Sequence, residues 1–426
     1  MRPKDEAEIC NVQESEHYCI NQHKLAFMST SSTTTSPSPH SLPTLSRARW
    51  ATRLQFMALG TLAGTWGAHI PSVKARYALS EGTLSMVLLS AAIGAVLSLF
   101  VAGRIVGRLG ARGGSALAVL VMSGVLAIVL EFPGVAVLMF SMLFFGAAMS
   151  LFDVAINTEG AALESLGGVP IMSNLHGMFS VGGMTGAALA SMMLAAGVAP
   201  SLQLPIVCAA IALAGVLGSR GMLETHASGA DGGDEDSGKA HFAWPRGLLL
   251  IIGLLIFCGM TAEGVMYDWS VLYLKQEVGM PQASAAIGYA VFSGAMALAR
   301  FGGDALRERY SERALLRAGG GVAAVAMAVV LLSANAWIAM IGFALVGAGL
   351  APVAPILFNA ATRVPGVSRA AAIASVTSIG YSGFMVGPPL IGSLATASSL
   401  TMALGVLVLA AAMLALGARY VPEKAG

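Results

Sequence analysis

The feature that most constrains this chain is a series of apolar runs of about 18–25 residues, separated by short polar stretches. As an α-helix, a run of that length spans roughly 30 Å, which is the thickness of the hydrocarbon core of a bilayer. Hydrocarbon offers the backbone no hydrogen-bonding partner, so these runs must be helical, because membrane-spanning strands are about half as long. Only 11% of the residues are charged, whereas soluble domains have about 25%. The sequence therefore predicts an all-α membrane protein.

Twelve such runs fall into two groups of six. The first group covers about 54–71, 82–102, 114–131, 134–157, 171–196 and 201–218. The second group covers about 247–273, 282–300, 315–332, 336–358, 371–396 and 400–418. The Ser/Thr/Pro-rich start of the chain and the Gly/Asp-rich middle are too polar to be buried. We therefore expect a disordered cytoplasmic tail (1–50), a six-helix bundle (51–218), a flexible cytoplasmic linker (219–246) and a second six-helix bundle (247–426).

The two groups also repeat each other at an offset of about 200 residues, which is typical of the parallel repeats of secondary transporters. Glycines recur at matching places, Gly103 with its counterpart in the second half being one pair. Gly182-x-x-x-Gly186 near the end of the first half matches Gly383-x-x-x-Gly387 in the second. Small residues at this spacing let two helices approach closely. The pattern predicts two pseudo-symmetric bundles.

The distribution of lysine and arginine predicts the orientation. On this topology, all but three of the 24 lysines and arginines lie on the side of the N-terminus. The exceptions are Lys74, Arg76 and Lys275. Because cytoplasmic loops carry the excess of positive charge, we expect both termini in the cytoplasm and the protein in the inner or plasma membrane.

Several classes of function do not fit this sequence. The net charge is only +2, and no basic stripe with interleaved aromatic residues suggests nucleic-acid binding. The four cysteines show no metal-type C-x-x-C spacing, so we expect no metal, no cofactor and no disulfide. The chain has no H-E-x-x-H, G-x-S-x-G or P-loop motif, so we do not expect an enzyme.

The predicted loop between the second and third spans reads Gly103-Arg-Ile-Val-Gly-Arg108-Leu-Gly110-Ala-Arg112. It resembles the signature loop of the major facilitator superfamily, in which a glycine and an acidic position precede Arg-x-Gly and further basic residues. The acidic position is Gly107 in this chain. The resemblance implies the twelve-helix major facilitator fold. It also implies a loop that switches with conformation, formed by Gly103, Arg108, Gly110, Arg112 and, in a looser second copy, Asp304.

Two later segments, Phe152-Asp153-Val-Ala-Ile-Asn157 and Asn174-Leu-His176-Gly-Met-Phe-Ser-Val-Gly, resemble the fucose-permease-like branch of that superfamily. In that branch, an acid and an asparagine four residues apart line the cavity from the fourth helix, and a polar residue of the fifth helix faces them. The resemblance implies these roles for Asp153, Asn157 and His176. The acid that fucose permeases carry late in the first helix is absent from residues 66–71.

A further segment, Glu263-Gly-Val-Met-Tyr-Asp268-Trp269, resembles a related bacterial branch that includes the rhizopine-locus membrane protein. A charged group near the centre of a bilayer costs about 2.5–3.5 kcal/mol, so an intramembrane acid needs a partner or a wet cavity. We expect Glu263 to be the main proton-coupling group, with Asp153 and Asp268 as further candidates. A structural hydrogen bond for Glu263, and interfacial anchoring for the segment at Asp268, are the alternative interpretations.

The expected solute-binding residues combine acceptors and donors suited to hydroxyl groups. They are Asp153, Asn157, His176, Asn359 and Trp66. Each has a structural alternative: a contact at a helix end for the Asp153–Asn157 pair, an interfacial histidine for His176, a helix cap for Asn359 and interface anchoring for Trp66.

These observations predict a secondary active transporter that moves a small polar solute, such as a sugar, polyol or inositol-like compound. We expect alternating access, coupling to protons and a monomer as the functional unit, with the solute, protons and the lipid bilayer as partners. An exporter of amphipathic, drug-like compounds is the first alternative. A transporter-like solute sensor is an alternative of another class.

Overall fold

The computed structural model describes residues 42–224 and 246–422. The chain divides into two units, Met1–Leu45 and Ser46–Gly426. The described part of the first unit, residues 42–45, is the beginning of a helix. In the described ranges, the regular elements are all helical. The rest of the expected tail and residues 225–245 of the expected linker lie outside the described residues.

The helices of the first half are α1 (Leu42–Arg76), α2 (Glu81–Ala127), α3 (Val135–Gly167), α4 (Met172–Ala195) and α5 (Pro200–Ser219). Those of the second half are α6 (Gly247–Gln276), α7 (Gln282–Arg309), α8 (Glu312–Ser333), α9 (Ala336–Leu350), α10 (Val353–Ala361), α11 (Arg369–Ala397), α12 (Leu400–Ala403) and α13 (Gly405–Gly417), followed by a 3₁₀ turn over Ala418–Tyr420.

The expected all-α architecture with twelve spans is confirmed. Nine of the described helical segments are long and apolar enough to cross a membrane. One of them, α2, holds the second and third spans in its 47 residues. The helices α9 and α10 together form the tenth span, and α12 and α13 form the twelfth. Helices α1 and α11, of 35 and 29 residues, complete the set.

The loop expected between the second and third spans is reduced to a single kink. Gly110 has φ 71° and ψ 166° inside α2, a conformation that residues with a Cβ rarely adopt. The backbone therefore turns at this glycine, and helix resumes at once on either side. This explains why a glycine stands at position 110 of this chain.

Two other boundaries differ from those expected. Helix α1 begins at Leu42, so residues 42–50 belong to a helix and not to the tail. Helix α7 continues past the expected end of its span at residue 300 and ends at Arg309. The expected cytoplasmic loop after this span is therefore mostly helix. Arg300 therefore lies inside α7 and not in a loop.

Glycines set the distances between the helices of the first half. A Cβ added to Gly94 of α2 would lie 1.9 Å from the carbonyl oxygen of Leu143, and one added to Gly146 of α3 would lie 1.8 Å from that of Ala91. The Gly182 and Gly186 pair of α4 packs in the same way against the backbone of α1. Backbones that touch this closely gain dispersion energy in a medium where apolar burial drives little association.

The two halves meet through α4 with α7 and through α2 with α11. We call the end of the bundle near Arg76 the outer end, following the orientation that lysine and arginine predict. At that end, the amide of Gln282 in α7 donates to the carbonyl oxygen of Ala68 (3.1 Å) and to Ser72 Oγ (2.7 Å) in α1. Gly392 of α11 packs against Ser85 of α2. The halves are thus in direct contact at the outer end.

We expect Gly146→Ala to destabilise the protein and Gly124→Ala to leave it unchanged. The first substitution pushes a methyl group into the backbone of α2, and overpacking of this kind costs about 1–3 kcal/mol or more. The second adds the same methyl group to a helical glycine with no neighbouring atom within 4 Å. Apparent melting temperatures of the purified proteins in detergent test this. Equal melting temperatures would contradict the assigned packing of α2 on α3.

Candidate functional site

The central polar contact of the second half joins Glu263 of α6 to Arg300 of α7. Arg300 Nη2 lies 3.1 Å from Glu263 Oε1, and the side chains are 11% and 16% exposed. Tyr267, one helical turn beyond Glu263, donates its hydroxyl to the same carboxylate oxygen at 2.7 Å. We call Glu263 and Arg300 the central ion pair. Its members neutralise each other, which removes most of the cost of placing each charge within the membrane.

The central ion pair also reaches the first half of the molecule. Arg300 Nη1 donates to Ser180 Oγ at 2.7 Å and lies 3.5 Å from the carbonyl oxygen of His176, both in α4. In return, Ser173 Oγ donates to the carbonyl oxygen of Arg300 at 3.1 Å. One guanidinium group therefore binds an acid of its own half and the backbone and a hydroxyl of the other half.

The position of Arg300 corrects an expectation. The distribution of lysine and arginine predicts this residue in a cytoplasmic loop, whereas the structure places it inside α7 with its side chain almost buried. Two signals could have found it. Glu263 in the middle of a span requires a positive partner, and Tyr267 lies four residues from Glu263, on the same helical face.

The expected pair Asp153 and Asn157 is brought together on α3. The amide of Asn157 donates to Asp153 Oδ1 at 2.9 Å and to the carbonyl oxygen of Asp153 at 2.8 Å. From the second half, the hydroxyl of Tyr381 in α11 approaches Asp153 Oδ2 at 3.5 Å. We call these three residues the Asp153 cluster. Tyr381 is a contact that the sequence interpretation missed.

Aromatic packing connects the Asp153 cluster with the helix of the central ion pair. The rings of Tyr381 and Phe384 lie 6.3 Å apart on α11. A Cβ added to Gly264 would lie 2.9 Å from the ring of Phe384, so this ring rests on α6 next to Glu263. Helix α11 therefore contacts α3 through Tyr381 and α6 through Phe384, which lies about one helical turn further along.

The side chain of His176 is exposed, while its carbonyl oxygen faces Arg300. Its ring meets Phe56 of α1 edge-on, with centroids 5.4 Å apart. The structure thus places His176 beside the central ion pair, on the helix that carries Ser180. It does not place the imidazole in hydrogen-bonding contact with Asp153 or Asn157.

Asp268 is partly buried in α6, and its carboxylate makes no hydrogen bond or ion pair within residues 42–224 and 246–422. Its neighbour Trp269 is fully buried. The interfacial anchoring considered for this segment is therefore not what the structure shows, because an anchoring tryptophan faces the lipid headgroups.

Asn359 and Trp66 lie apart from the Asp153 cluster. The amide of Asn359 donates to Glu312 Oε1 at 3.2 Å, and Arg363 pairs with the same carboxylate. This arrangement ties α10 to the beginning of α8. Trp66 is 7% exposed and packs on Phe145, with ring centroids 5.8 Å apart. The structure thus gives Asn359 a contact between helices and Trp66 an aromatic one.

The residues of the superfamily loop lie around the kink of α2. Gly103 and Arg108 are exposed, and Gly110 forms the kink itself. Arg112 pairs with Glu224 at 2.9 Å, which fastens the kink to the segment that follows α5. The side chain of Asp304 lies outside the described residues. No three His, Cys, Asp or Glu residues among those described are grouped so that they could hold a metal ion.

Comparison of the sequence with known proteins identifies the superfamily that the loop motif indicates. The sequence model of the Major Facilitator Superfamily matches residues 52–366. An uncharacterized MFS-type transporter of Yersinia pestis is 35% identical over 373 residues, which cover 87% of this chain and 95% of the relative. Membrane protein MosC of Rhizobium meliloti is 32% identical over 359 residues, covering 83% and 85%. The expected resemblance to this superfamily and branch is confirmed.

Solved structures share the fold. A D-xylose-proton symporter superposes with a TM-score of 0.71 at 16% sequence identity, covering 88% of this chain and 98% of that one. The transporter FucP in its outward conformation superposes with a TM-score of 0.58 at 16% identity, covering 88% and 99%. At identities this low, the likeness concerns the architecture alone.

The central ion pair predicts a non-additive mutant cycle. Glu263→Gln and Arg300→Gln should each destabilise the protein, by about 3–5 kcal/mol, because each leaves one buried charge without its partner. The double variant should be more stable than either single variant. Thermal unfolding in detergent measures this, with the exposed Arg309→Gln as the control. Additive losses in the double variant would show that the two side chains do not interact.

Proposed function

Since this chain belongs to the Major Facilitator Superfamily, we propose that it is a secondary active transporter of a small polar solute, such as a sugar, polyol or inositol-like compound, coupled to protons. The observation that carries the proposal is the central ion pair, which lies at the contact between the two halves. The solved D-xylose-proton symporter supports the plausibility of this chemistry on the same fold.

Proton coupling follows from the charge balance at Glu263. A proton on this carboxylate cancels its charge and leaves Arg300 without an ionic partner. Arg300 then keeps neutral partners such as Ser180 and a carbonyl oxygen of α4, so an uncompensated positive charge remains in the membrane. That state is costly unless a polar group of the solute meets the guanidinium. Proton binding and solute binding thereby favour each other, which is the linkage that a symporter requires.

The Asp153 cluster is the proposed solute-binding site. The carboxylate offers several acceptor positions, the amide of Asn157 offers a donor, and the hydroxyl of Tyr381 offers both. The cluster joins α3 of the first half to α11 of the second, through a contact of 3.5 Å that is easily replaced. A solute that inserts here contacts both halves at once. Its binding can therefore change the relative stability of the two access states.

Transport proceeds by alternating access in this proposal. The contacts of Gln282 at the outer end break when the two halves rock apart, and the glycine contacts within each half persist. The protein resides in the inner or plasma membrane with both termini in the cytoplasm and acts as a monomer. Asp268 serves as a further proton site, and the kink at Gly110 moves with the change of state.

The test is solute-driven proton movement in proteoliposomes that contain a pH dye, with sugars, polyols, inositols and their amino derivatives added outside. We expect internal acidification with one solute of the panel. Glu263→Gln should reduce this signal to the level of empty liposomes, because the variant can no longer bind and release the coupled proton. Counterflow of the same labelled solute should persist, because exchange needs no net proton transfer.

Glu308→Gln is the matched control, because it removes an exposed carboxylate from the end of α7 and should leave both signals intact. Full accumulation by Glu263→Gln would refute the coupling role of Glu263. Silence of the whole panel in both assays would favour an exporter of amphipathic compounds. Solute binding without any flux would identify a sensor.

A further inference from the structure

Asp153 differs from Glu263 because its carboxylate has no positive partner in the part of the chain that the structure describes. Glu263 is paired with Arg300 at 3.1 Å. The carboxylate of Asp153 receives hydrogen bonds from Asn157 and Tyr381, which are both neutral. No lysine, arginine or histidine among the described residues lies within ion-pair distance of it, and Arg300 is already engaged by Glu263.

This arrangement leaves the negative charge of the Asp153 carboxylate without a positive partner. A charged side chain within a span costs about 2.5–3.5 kcal/mol unless it meets a partner or water. The two hydrogen bonds stabilise the carboxylate but leave its charge uncompensated. The contact with Tyr381, at 3.5 Å, is also at the outer limit of a hydrogen bond. A cation that approaches Oδ2 would replace this long contact with a short, charge-assisted one.

The aromatic residue nearest this carboxylate in the described contacts is Tyr381. The rings of Tyr381 and Phe384 lie side by side on α11, at 6.3 Å, and Tyr381 directs its hydroxyl toward the carboxylate. Cations are attracted to the faces of aromatic rings, by about 0.5–2 kcal/mol. A carboxylate beside aromatic rings is the chemistry that recognises an ammonium group. A neutral hydroxyl would gain only the hydrogen bonds.

We propose that the transported solute carries an ammonium group that binds to Asp153, so that the substrate is an amino-substituted polyol or sugar. This inference rests on the proposed function and narrows its solute class. The ammonium pairs with the carboxylate and faces the ring of Tyr381, while the hydroxyl groups of the solute meet Asn157. The competing possibility is a neutral solute, with a proton on Asp153 in place of the ammonium.

The test uses matched pairs of compounds that differ only by an amine in place of a hydroxyl: glucosamine with glucose, serinol with glycerol, and 2-aminocyclohexanol with 1,2-cyclohexanediol. Each is added to the purified full-length protein in detergent, and the dissociation constant is measured from the shift in melting temperature. We expect the amine of at least one pair to bind at least about tenfold more tightly than its hydroxyl partner. Asp153→Asn should abolish this difference.

Three variants and one further compound serve as controls. Asp153→Glu retains the charge and should retain the preference for the amine, which separates lost charge from lost folding. Tyr381→Phe keeps the ring and should also retain it. Glu308→Gln removes an exposed carboxylate far along α7 and should change nothing. N-acetylglucosamine, which has no charge at its nitrogen, should bind no better than glucose.

Equal or tighter binding of the hydroxyl compounds would overturn the proposal, and so would the absence of binding by every amine at its solubility limit. Proton-coupled transport of a neutral polyol, lost in Glu263→Gln, would uphold the proposed function while overturning this inference. Amine binding that depends on Asp153, without any proton-coupled flux, would uphold this inference while overturning the proposed function.

Discussion

The whole structure depends on one constraint: hydrocarbon supplies no hydrogen-bonding partner. Backbone groups within the membrane must satisfy each other, which leaves helices as the elements of this chain. The same constraint applies to side chains, so an acid placed within a span needs a partner inside the protein or a wet cavity. Glu263 finds Arg300, and Arg300 in turn reaches Ser180 in the other half. The need to neutralise Glu263 within the membrane thus places an arginine that also links the two bundles.

The contacts within a half and those between halves differ in kind, and this difference permits movement. Inside the first half, Gly94 and Gly146 bring the backbones of α2 and α3 into direct contact, and no small rearrangement can replace that fit. Between the halves, the contacts involve side chains: Gln282 and Arg300 make hydrogen bonds, and Gly392 packs on the side chain of Ser85. Hydrogen bonds of this kind can exchange with water or solute at little net cost. Rigid bundles joined by replaceable contacts are suited to rocking about a central site.

The sequence was sufficient for the helices but only partly for the site. Long apolar runs predict the spans, and the four-residue spacing predicts that Asp153 and Asn157 meet. Hydropathy alone misplaces Arg300, because a charge at the end of an apolar run marks a boundary, whereas here the charge is paired inside the helix. Tyr381 was missed because its contact joins residues 228 positions apart. Asn359 was assigned to the cavity, but its partner Glu312 lies in another helix and no local pattern reveals it.

The central claim is that the two halves separate and close again at the outer end during transport. Spin labels on Met86→Cys in α2 and Leu394→Cys in α11, in a background without the four native cysteines, would measure the distance between the halves at that end. We predict two distance populations, the shorter one matching the present structure, with their ratio changing with pH and with solute. A single short distance under every condition would contradict alternating access.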